Sequence, residues 1–212
     1  MKRLSVFILA LLCLIGLVGC QQKKVDYLVL VNKDNKISDD FIDEVELVDV
    51  IGDDGEVMQL EKKTCEAYWK LHDALLKDGI EIGVDSAYRS IDQQKQVMSD
   101  FIEEYGEEYA KKIVAEPGTS EHHTGMAVDI VPKVNGEWVI ENEDMMKETE
   151  IFAKIHARLP EFGFILRYPK GKEDITRQDY EPWHLRYVGV KAAKEIYDKQ
   201  ITLEEYLGKN NK

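Results

Sequence analysis

Cysteine is scarce in this sequence. Its 212 residues include three cysteines, and two of them, Cys13 and Cys20, fall within the first twenty positions. If that segment is a processed secretory signal, only Cys65 is left with a free thiol. An internal disulfide is then excluded, and so is the cysteine-rich type of structural zinc site.

Basic residues are also in deficit. The chain has 28 Lys and Arg against 41 Asp and Glu, which gives a formal net charge of -13. So much negative charge disfavours nucleic acid and anionic lipid as direct partners, because like charges repel. We therefore expect no nucleic-acid partner.

Long apolar runs are absent except at the N-terminus. Residues 4–18 are almost wholly apolar, follow the basic pair Lys2 and Arg3, and give way to LVGC, which ends at Cys20. The run is shorter than the about 20 residues that a membrane-spanning helix needs, and its basic start and small-residue end are typical of a secretory signal. LVGC resembles a bacterial lipobox, which implies cleavage before Cys20 and lipidation of that cysteine.

These features divide the chain into three parts. We predict a lipoprotein signal peptide over residues 1–19, a lipid-anchored linker over residues 20–26 and a folded domain over residues 27–212. The protein is then extracytoplasmic and is attached to the bacterial cell membrane through its N-terminal lipid. An uncleaved N-terminal anchor and an ordinary secretory signal are the alternatives, and both still place the domain outside the cytoplasm.

A single domain is expected after residue 26, since domains commonly have about 100 to 200 residues and the segment contains no internal repeat. Apolar spacing and turn signals predict strands in YLVLVNK, GIEIGVDSAYRS, TGMAVDIVP, FGFILRYP and WHLRYVG, with an Asn135-Gly136 hairpin after the third. Helices are predicted over residues 60–76, after an N-cap at Ser90, and over residues 144–159. This pattern indicates an α+β fold in which helices flank a small antiparallel sheet, and we expect a monomer.

Two stretches could together hold a metal ion. In SEHHTGMAVDI, alternation along a strand puts Asp129 on a face with small residues and leaves the opposite face apolar. His122 precedes that strand, and EPWHLRYVG adds His184. His, Asp and His are good zinc ligands, and three protein ligands with a fourth position for water are typical of catalytic zinc. On spacing alone, surface or packing histidines are the alternative.

The same stretches carry a family resemblance. SEHHTGMAVD matches the motif S-x-H-x-x-G-x-A-x-D, and EPWHLRYVG matches E-x-W-H-x-R-Y-V-G, of the zinc D-alanyl-D-alanine carboxypeptidases of the VanY type and their L,D-carboxypeptidase relatives. The resemblance covers most of the domain, through YLVLVNK, AYRSIDQQ and FGFILRYPKGKEDIT. It implies a hedgehog/DD-peptidase-like fold and a zinc metallo-carboxypeptidase.

The resemblance also implies a role for each matching side chain. His122, Asp129 and His184 bind one zinc ion, Glu181 is the catalytic base, Arg89 lies near the reacting carbonyl, and Ser120 and Gln94 contact the end of the bound peptide. No part in the chemistry is expected for the other histidines, which are His72, His123 and His156.

The implied reaction is removal of the C-terminal D-alanine from peptidoglycan stem peptides during cell-wall maturation. The bond is D-Ala-D-Ala in a pentapeptide or an L,D bond in a tetrapeptide. Two alternatives stay open: a non-catalytic lipoprotein that binds the wall, and a zinc endopeptidase that cuts inside the stem peptide. Relatives commonly have glycine where this chain has Arg177, which puts the shape of the loop beside Glu181 in question.

The spacing of Glu181 and His184 makes a further prediction. On a regular strand, two residues an odd number of positions apart face opposite sides of the sheet. Both can serve one site only if the chain bends between them. Pro182 favours such a bend, because it restricts Glu181 to an extended conformation and removes a backbone donor.

Overall fold

A central antiparallel sheet organises the part of the chain that the computed structural model describes, residues 25–208. The predicted signal peptide, Cys20 and the first residues of the linker lie outside the described residues. The strands are β1 Leu47–Ile51, β2 Val57–Glu61, β3 Ile82–Ser86, β4 Ala127–Val134, β5 Glu137–Trp138, β6 Phe164–Leu166 and β7 His184–Tyr187. The helices are α1 Lys62–Lys77, α2 Ile91–Tyr105, α3 Glu107–Ile113, α4 Asn142–Met145, α5 Thr149–Phe162, α6 Glu173–Thr176, α7 Val190–Lys199 and α8 Leu203–Tyr206. Short 3-10 helices cover Asp39–Glu44 and Glu121–Thr124.

Strands β3 to β7 form one sheet. Their order is β3-β4-β7-β6, β5 pairs with β4, and all of these pairings are antiparallel. Strands β1 and β2 form a separate antiparallel hairpin. The predicted α+β fold, with a small antiparallel sheet flanked by helices, is therefore confirmed.

Helix α1 packs against the sheet and against α5. Its buried face includes residues at helical spacing, as predicted, which are Cys65, Tyr68, Leu71 and Leu75. They share the main hydrophobic core with Val128 and Ile130 of β4. Because successive side chains of a strand alternate between its two faces, Asp129 faces away from this core. The core thus fixes the strand that carries the central carboxylate.

Two local turn signals are confirmed. Ser90 caps α2 through a capping box, in which Ser90 Oγ accepts a hydrogen bond from Gln93 N and Gln93 Oε1 accepts one from Ser90 N. Asn135 and Gly136 join β4 to β5 with φ angles of 53° and 89°. Positive φ at both central residues is what a two-residue type I′ hairpin requires.

The strand predicted in YLVLVNK is wrong. Residues 27–37, which we call the N-terminal strap, form turns and an isolated bridge between Asn32 and Asn35 instead. Arg186 Nη2 donates to the carbonyl oxygens of Tyr27 and Val29, at 3.2 and 2.8 Å. A buried side chain therefore satisfies backbone groups that a neighbouring strand would otherwise have to satisfy.

The helix predicted over residues 144–159 is divided. Helix α4 ends at Met145 and α5 begins at Thr149, and between them Glu148 has a ψ angle of 45°, which lies outside the helical range. Among residues 25–208, no helix combines the length and the apolar character needed to cross a membrane.

Candidate metal centre and catalytic site

Strand pairing places two of the predicted ligands side by side. Asp129 of β4 lies directly opposite His184 of β7, and side chains of directly opposed residues project from the same face of a sheet. Asp129 Oδ1 is 2.8 Å from His184 Nδ1. The register of these two strands, rather than their proximity in sequence, builds this half of the site.

A sharp turn brings the third ligand to the same place. His122 lies in the 3-10 helix Glu121–Thr124, which ends at Gly125 with a left-handed φ of 69°. A Cβ atom at this position would lie 3.1 Å from the backbone nitrogen of Glu61, so the turn needs glycine for space as well as for conformation. The turn directs His122 back to Asp129, with His122 Nε2 3.1 Å from Asp129 Oδ2.

The donor atoms of this cluster fit a metal ion. One ligand atom each from His122, Asp129 and His184 lies within 4.8 Å of the other two. His122 Nδ1 is 2.7 Å from the carbonyl oxygen of Ala87 and must donate to it, so in the neutral ring Nε2 presents a lone pair to Asp129. Asp129 Oδ1 is buried and has no hydrogen-bond partner among the described residues. The Nε2 lone pair of His122 and the carboxylate oxygens of Asp129 thus face one another, and a bound cation would satisfy both.

The electrostatics of the cluster also favour positive charge. Burial alone would raise the pKa of Asp129, but the two imidazoles beside it hold that pKa well below its usual range. Burial would likewise lower the pKa of His184, and the attraction of Asp129 outweighs it and raises the pKa to about 10. A buried carboxylate that favours positive charge on the neighbouring His184 ring also favours a bound cation.

Glu181 reaches this cluster through the predicted bend. His184 N donates to Glu181 O at 3.3 Å, which closes a four-residue turn with Pro182 at its second position, a position that proline favours. Glu181 Oε2 is consequently 3.9 Å from His184 Nδ1. Burial raises the pKa of Glu181 to about 7, against the opposing effect of charged His184. A carboxyl group with such a pKa can both accept and return a proton near neutral pH.

Arg89 is held beside the site by neutral acceptors. Its Nη1 donates to Gln94 Oε1 at 2.9 Å and its Nη2 to Ser86 Oγ at 3.0 Å. Gln94 is buried, and its Nε2 donates to Ala115 O at 2.9 Å. Within the described residues no carboxylate lies at ion-pair distance from Arg89. Residues 25–208 therefore leave the guanidinium charge without a carboxylate partner.

Every residue predicted to bind the metal, act in catalysis or contact substrate lines one cavity of about 350 Å³. Besides the three ligands and Glu181 it is lined by Arg89, Gln94 and Ser120. Ser120 Oγ accepts a weak hydrogen bond from His122 N at 3.4 Å. The contacts of Ser120 and Gln94 with a bound peptide stay predictions, and for Gln94 the structure shows a direct contact with Arg89.

Sequence reasoning missed several other residues of this cavity. Tyr168 packs against His184, with ring centroids 4.9 Å apart and ring planes tilted by 34°, and Trp183 also lines the cavity. Both lie within stretches that carry the family resemblance, and that position could have identified them. Lys33 of the N-terminal strap also lines the cavity, and no local signal marks it.

The remaining histidines lie away from the metal cluster or face other partners. His123 Nε2 accepts from Gly118 N at 3.1 Å, so its Nδ1 carries the proton and donates to Arg89 O at 2.7 Å. Both ring nitrogens are thus occupied, as expected for a residue that is no ligand. His156 Nε2 donates to Pro182 O at 2.8 Å and supports the turn that holds Glu181.

Arg177 occupies a backbone conformation that glycine adopts freely. Its φ and ψ angles of 60° and 25° are left-handed, and its Nη1 forms an ion pair of 2.7 Å with Asp34 of the strap. Its neighbours Thr176 and Gln178 line the cavity. Arg177 therefore forms this left-handed turn without glycine and adds a contact to the strap.

Comparison with known proteins agrees with this site. A family model described as VanY, D-alanyl-D-alanine carboxypeptidase, matches residues 57–190. The chain is 45% identical to YodJ of Bacillus subtilis (strain 168) over 153 residues, which cover 72% of this chain and 55% of YodJ. Over the curated relatives that it matches, the alignments span 44% to 66% of their length.

Solved structures show the same fold. The LdcB LD-carboxypeptidase has a TM-score of 0.72 and 40% identity, with 87% of each chain covered. A variant of the vancomycin-resistance D,D-pentapeptidase VanY, from a VanB-type cassette and in complex with Zn(II), has a TM-score of 0.68 and 34% identity over 85% of this chain and 98% of that one. The family match includes all three candidate ligands and Glu181. The chain therefore belongs to the VanY D-alanyl-D-alanine carboxypeptidase family.

Proposed function

We propose that this protein is a zinc carboxypeptidase that removes the C-terminal D-alanine from peptidoglycan stem peptides in cell-wall maturation. The observation that carries the proposal is the buried His122, Asp129 and His184 cluster with the carboxylate of Glu181 beside it. Family membership and the zinc complex of the VanY structure support zinc as the metal.

Each group of residues in the site has a separate role in hydrolysis. Zinc bound by the three ligands would lower the pKa of a coordinated water from about 15.7 to about 7 and polarise the scissile carbonyl. Glu181 is placed to accept the proton of the attacking water and to return it to the leaving amine. Arg89, whose guanidinium contacts the neutral acceptors Gln94 and Ser86, stabilises the negative charge that develops on the carbonyl oxygen.

Recognition of a free peptide terminus also fits the cavity. A carboxypeptidase needs a group that holds the terminal carboxylate of its substrate, and Arg89 and Ser120 are the candidate donors. Lys33 adds a second cation to the same cavity. In a chain with 41 acidic residues, two cations in one cavity favour an anionic ligand there.

The location of the activity rests on the N-terminal sequence. The lipobox-like LVGC supports lipidation of Cys20 and attachment to the outer face of the cell membrane, within reach of the wall. We propose that the anchored protein acts as a monomer. Labelling with a lipid precursor, which a Cys20→Ala variant should abolish, tests the anchor, and sedimentation equilibrium tests the monomer.

Digestion of defined muropeptides tests the reaction. Purified protein with zinc is incubated separately with pentapeptide and tetrapeptide substrates, and the products are weighed by mass spectrometry. Loss of one alanine from either substrate is expected, and the preferred substrate distinguishes D,D from L,D specificity. Internal cleavage would instead identify an endopeptidase, and saturable binding without turnover would identify a wall-binding protein.

The contact between Gln94 and Arg89 yields a separate prediction. A Gln94→Leu variant should lose about 10- to 100-fold in kcat/KM, because the guanidinium loses one of its two positioning contacts and small displacements of a catalytic group are costly. Zinc content should stay at the wild-type level. Gln96→Leu, the same change at an exposed position of α2, is the control. Full activity of Gln94→Leu would contradict this role of Gln94.

A further inference from the structure

Glu121 is a buried carboxylate next to the ligand His122. Its Oε1 accepts hydrogen bonds from Arg167 Nε and Arg186 Nη1, each at 2.8 Å. Arg167 also makes two hydrogen bonds to Glu204, at 2.6 and 3.0 Å. The side chains of both arginines and both glutamates are 0% exposed. We call these four residues the buried ion network.

The second oxygen of Glu121 is not used by the network. Glu121 Oε2 has no hydrogen-bond partner among residues 25–208, and neither does His184 Nε2. These two atoms lie 3.6 Å apart, just outside hydrogen-bond range. Buried polar atoms are rarely left unpaired, so two complementary unpaired atoms at this distance point to each other as partners.

The orientation of the His184 ring links its contact with Glu121 to metal binding. Its Nδ1 faces Asp129, which leaves Nε2 on the outer side of the cluster. A ligating histidine normally donates its second N–H to a carboxylate or a carbonyl oxygen, which fixes the tautomer and the ring orientation. His122 has such an acceptor in Ala87 O. For His184, the atom that faces Nε2 is Glu121 Oε2, at 3.6 Å.

Burial of the Glu121 carboxylate is unfavourable in free energy, which argues for a role beyond packing. An isolated buried charge is strongly destabilising, and well-packed apolar residues often replace a buried ion pair without loss of stability. Here Arg167 and Arg186 both bind Oε1, so they hold the carboxylate in place while Oε2 stays available on the side of His184.

We propose that Glu121 is a positioning residue for the metal, which holds the ring of His184 through Nε2–H so that Nδ1 faces the ion, and that Arg167 and Arg186 fix Glu121 for this purpose. The inference rests on the proposed zinc site. On this proposal, Glu121 fixes the tautomer of His184 and thereby contributes to the affinity for zinc.

Zinc affinity of paired variants tests the inference. Glu121→Gln keeps the shape of the side chain but removes the charge that faces His184. Glu204→Gln is the matched control, because it makes the same change in the buried ion network at a residue that binds Arg167 instead of facing His184. The affinity of each metal-free protein for Zn²⁺ is measured by competition with a chromophoric chelator, and its unfolding temperature by circular dichroism. Glu121→Gln should bind zinc about 10- to 100-fold more weakly than wild type, whereas Glu204→Gln should stay within about 3-fold of wild type.

The outcomes separate this inference from the zinc proposal itself. Wild-type protein that binds no zinc would contradict the proposed function. Zinc binding by wild type together with an unchanged affinity in folded Glu121→Gln, or with an equal loss in both variants, would overturn the role of Glu121 alone. If Glu121→Gln does not fold, Glu121→Asp keeps the charge for the arginines but shortens the reach to His184, and the same loss of affinity is expected of it.

Discussion

A Glu181→Gln variant is expected to bind zinc normally and to lose about 10²- to 10⁴-fold in kcat. General acid–base catalysis commonly contributes an acceleration of that size, and Glu181 Oε2 lies 3.9 Å from His184 Nδ1, the ring nitrogen that faces Asp129. Glutamine has the same shape, so the turn that is closed by the His184 N to Glu181 O hydrogen bond should persist. The measurement is steady-state release of D-alanine, together with zinc content.

The control is Glu150→Gln, which makes the same change on an exposed position of α5. It should retain wild-type kcat and zinc content. If Glu181→Gln released D-alanine at the wild-type rate, another group would have to be the base. If it lost zinc as well as activity, Glu181 would be part of the metal site instead.

Replacement of Asp129 should reduce activity to a similar extent, because the protein would lose zinc. Asp129 lies between both histidine ligands, at 3.1 and 2.8 Å, so Asp129→Asn removes the negative charge that compensates the cation. We expect zinc affinity to fall by more than about 100-fold, which is the upper end of the effect of changes outside the ligand shell. Activity should fall with it and should not return when one equivalent of zinc is added.

Thermal unfolding provides a readout that does not depend on activity. A ligand at 100 times its Kd stabilises the folded state by about 2.7 kcal/mol, so zinc should raise the unfolding temperature of wild-type protein and should have little effect on Asp129→Asn. Asp49→Asn, the same change at an exposed position of β1, is the control and should keep the zinc response. A full zinc response in Asp129→Asn would remove Asp129 from the ligand set.

The metal cluster could be predicted from sequence because its determinants are local. Strand alternation placed Asp129 opposite the core face, and Pro182 predicted the bend that brings Glu181 back to His184. The family motifs then supplied the pairing of two stretches that lie far apart in the chain. Ser90 and the Asn135-Gly136 hairpin were predictable for the same reason, since capping and turn preferences act over a few residues.

The buried ion network could not be predicted in this way. Nothing near Glu121 in the sequence shows that its partners are Arg167 and Arg186, which lie 46 and 65 residues further along the chain. Partners distant in sequence also explain why the strand predicted in YLVLVNK is wrong. Its β propensity is real, but the side chain of Arg186 takes the carbonyl oxygens of Tyr27 and Val29, so tertiary context overrides the local preference.

The pairing of β4 with β7 has a kinetic consequence for the folding of this protein. Helices α1 and α2 need mainly local contacts, whereas Asp129 and His184 meet only after a long loop has closed, and such closure is slow relative to helix formation. During refolding from denaturant, the far-ultraviolet helix signal should therefore recover before the capacity to capture zinc. Zinc capture then reports the completion of the central sheet, and a newly synthesised chain would stay inactive until β7 had paired with β4.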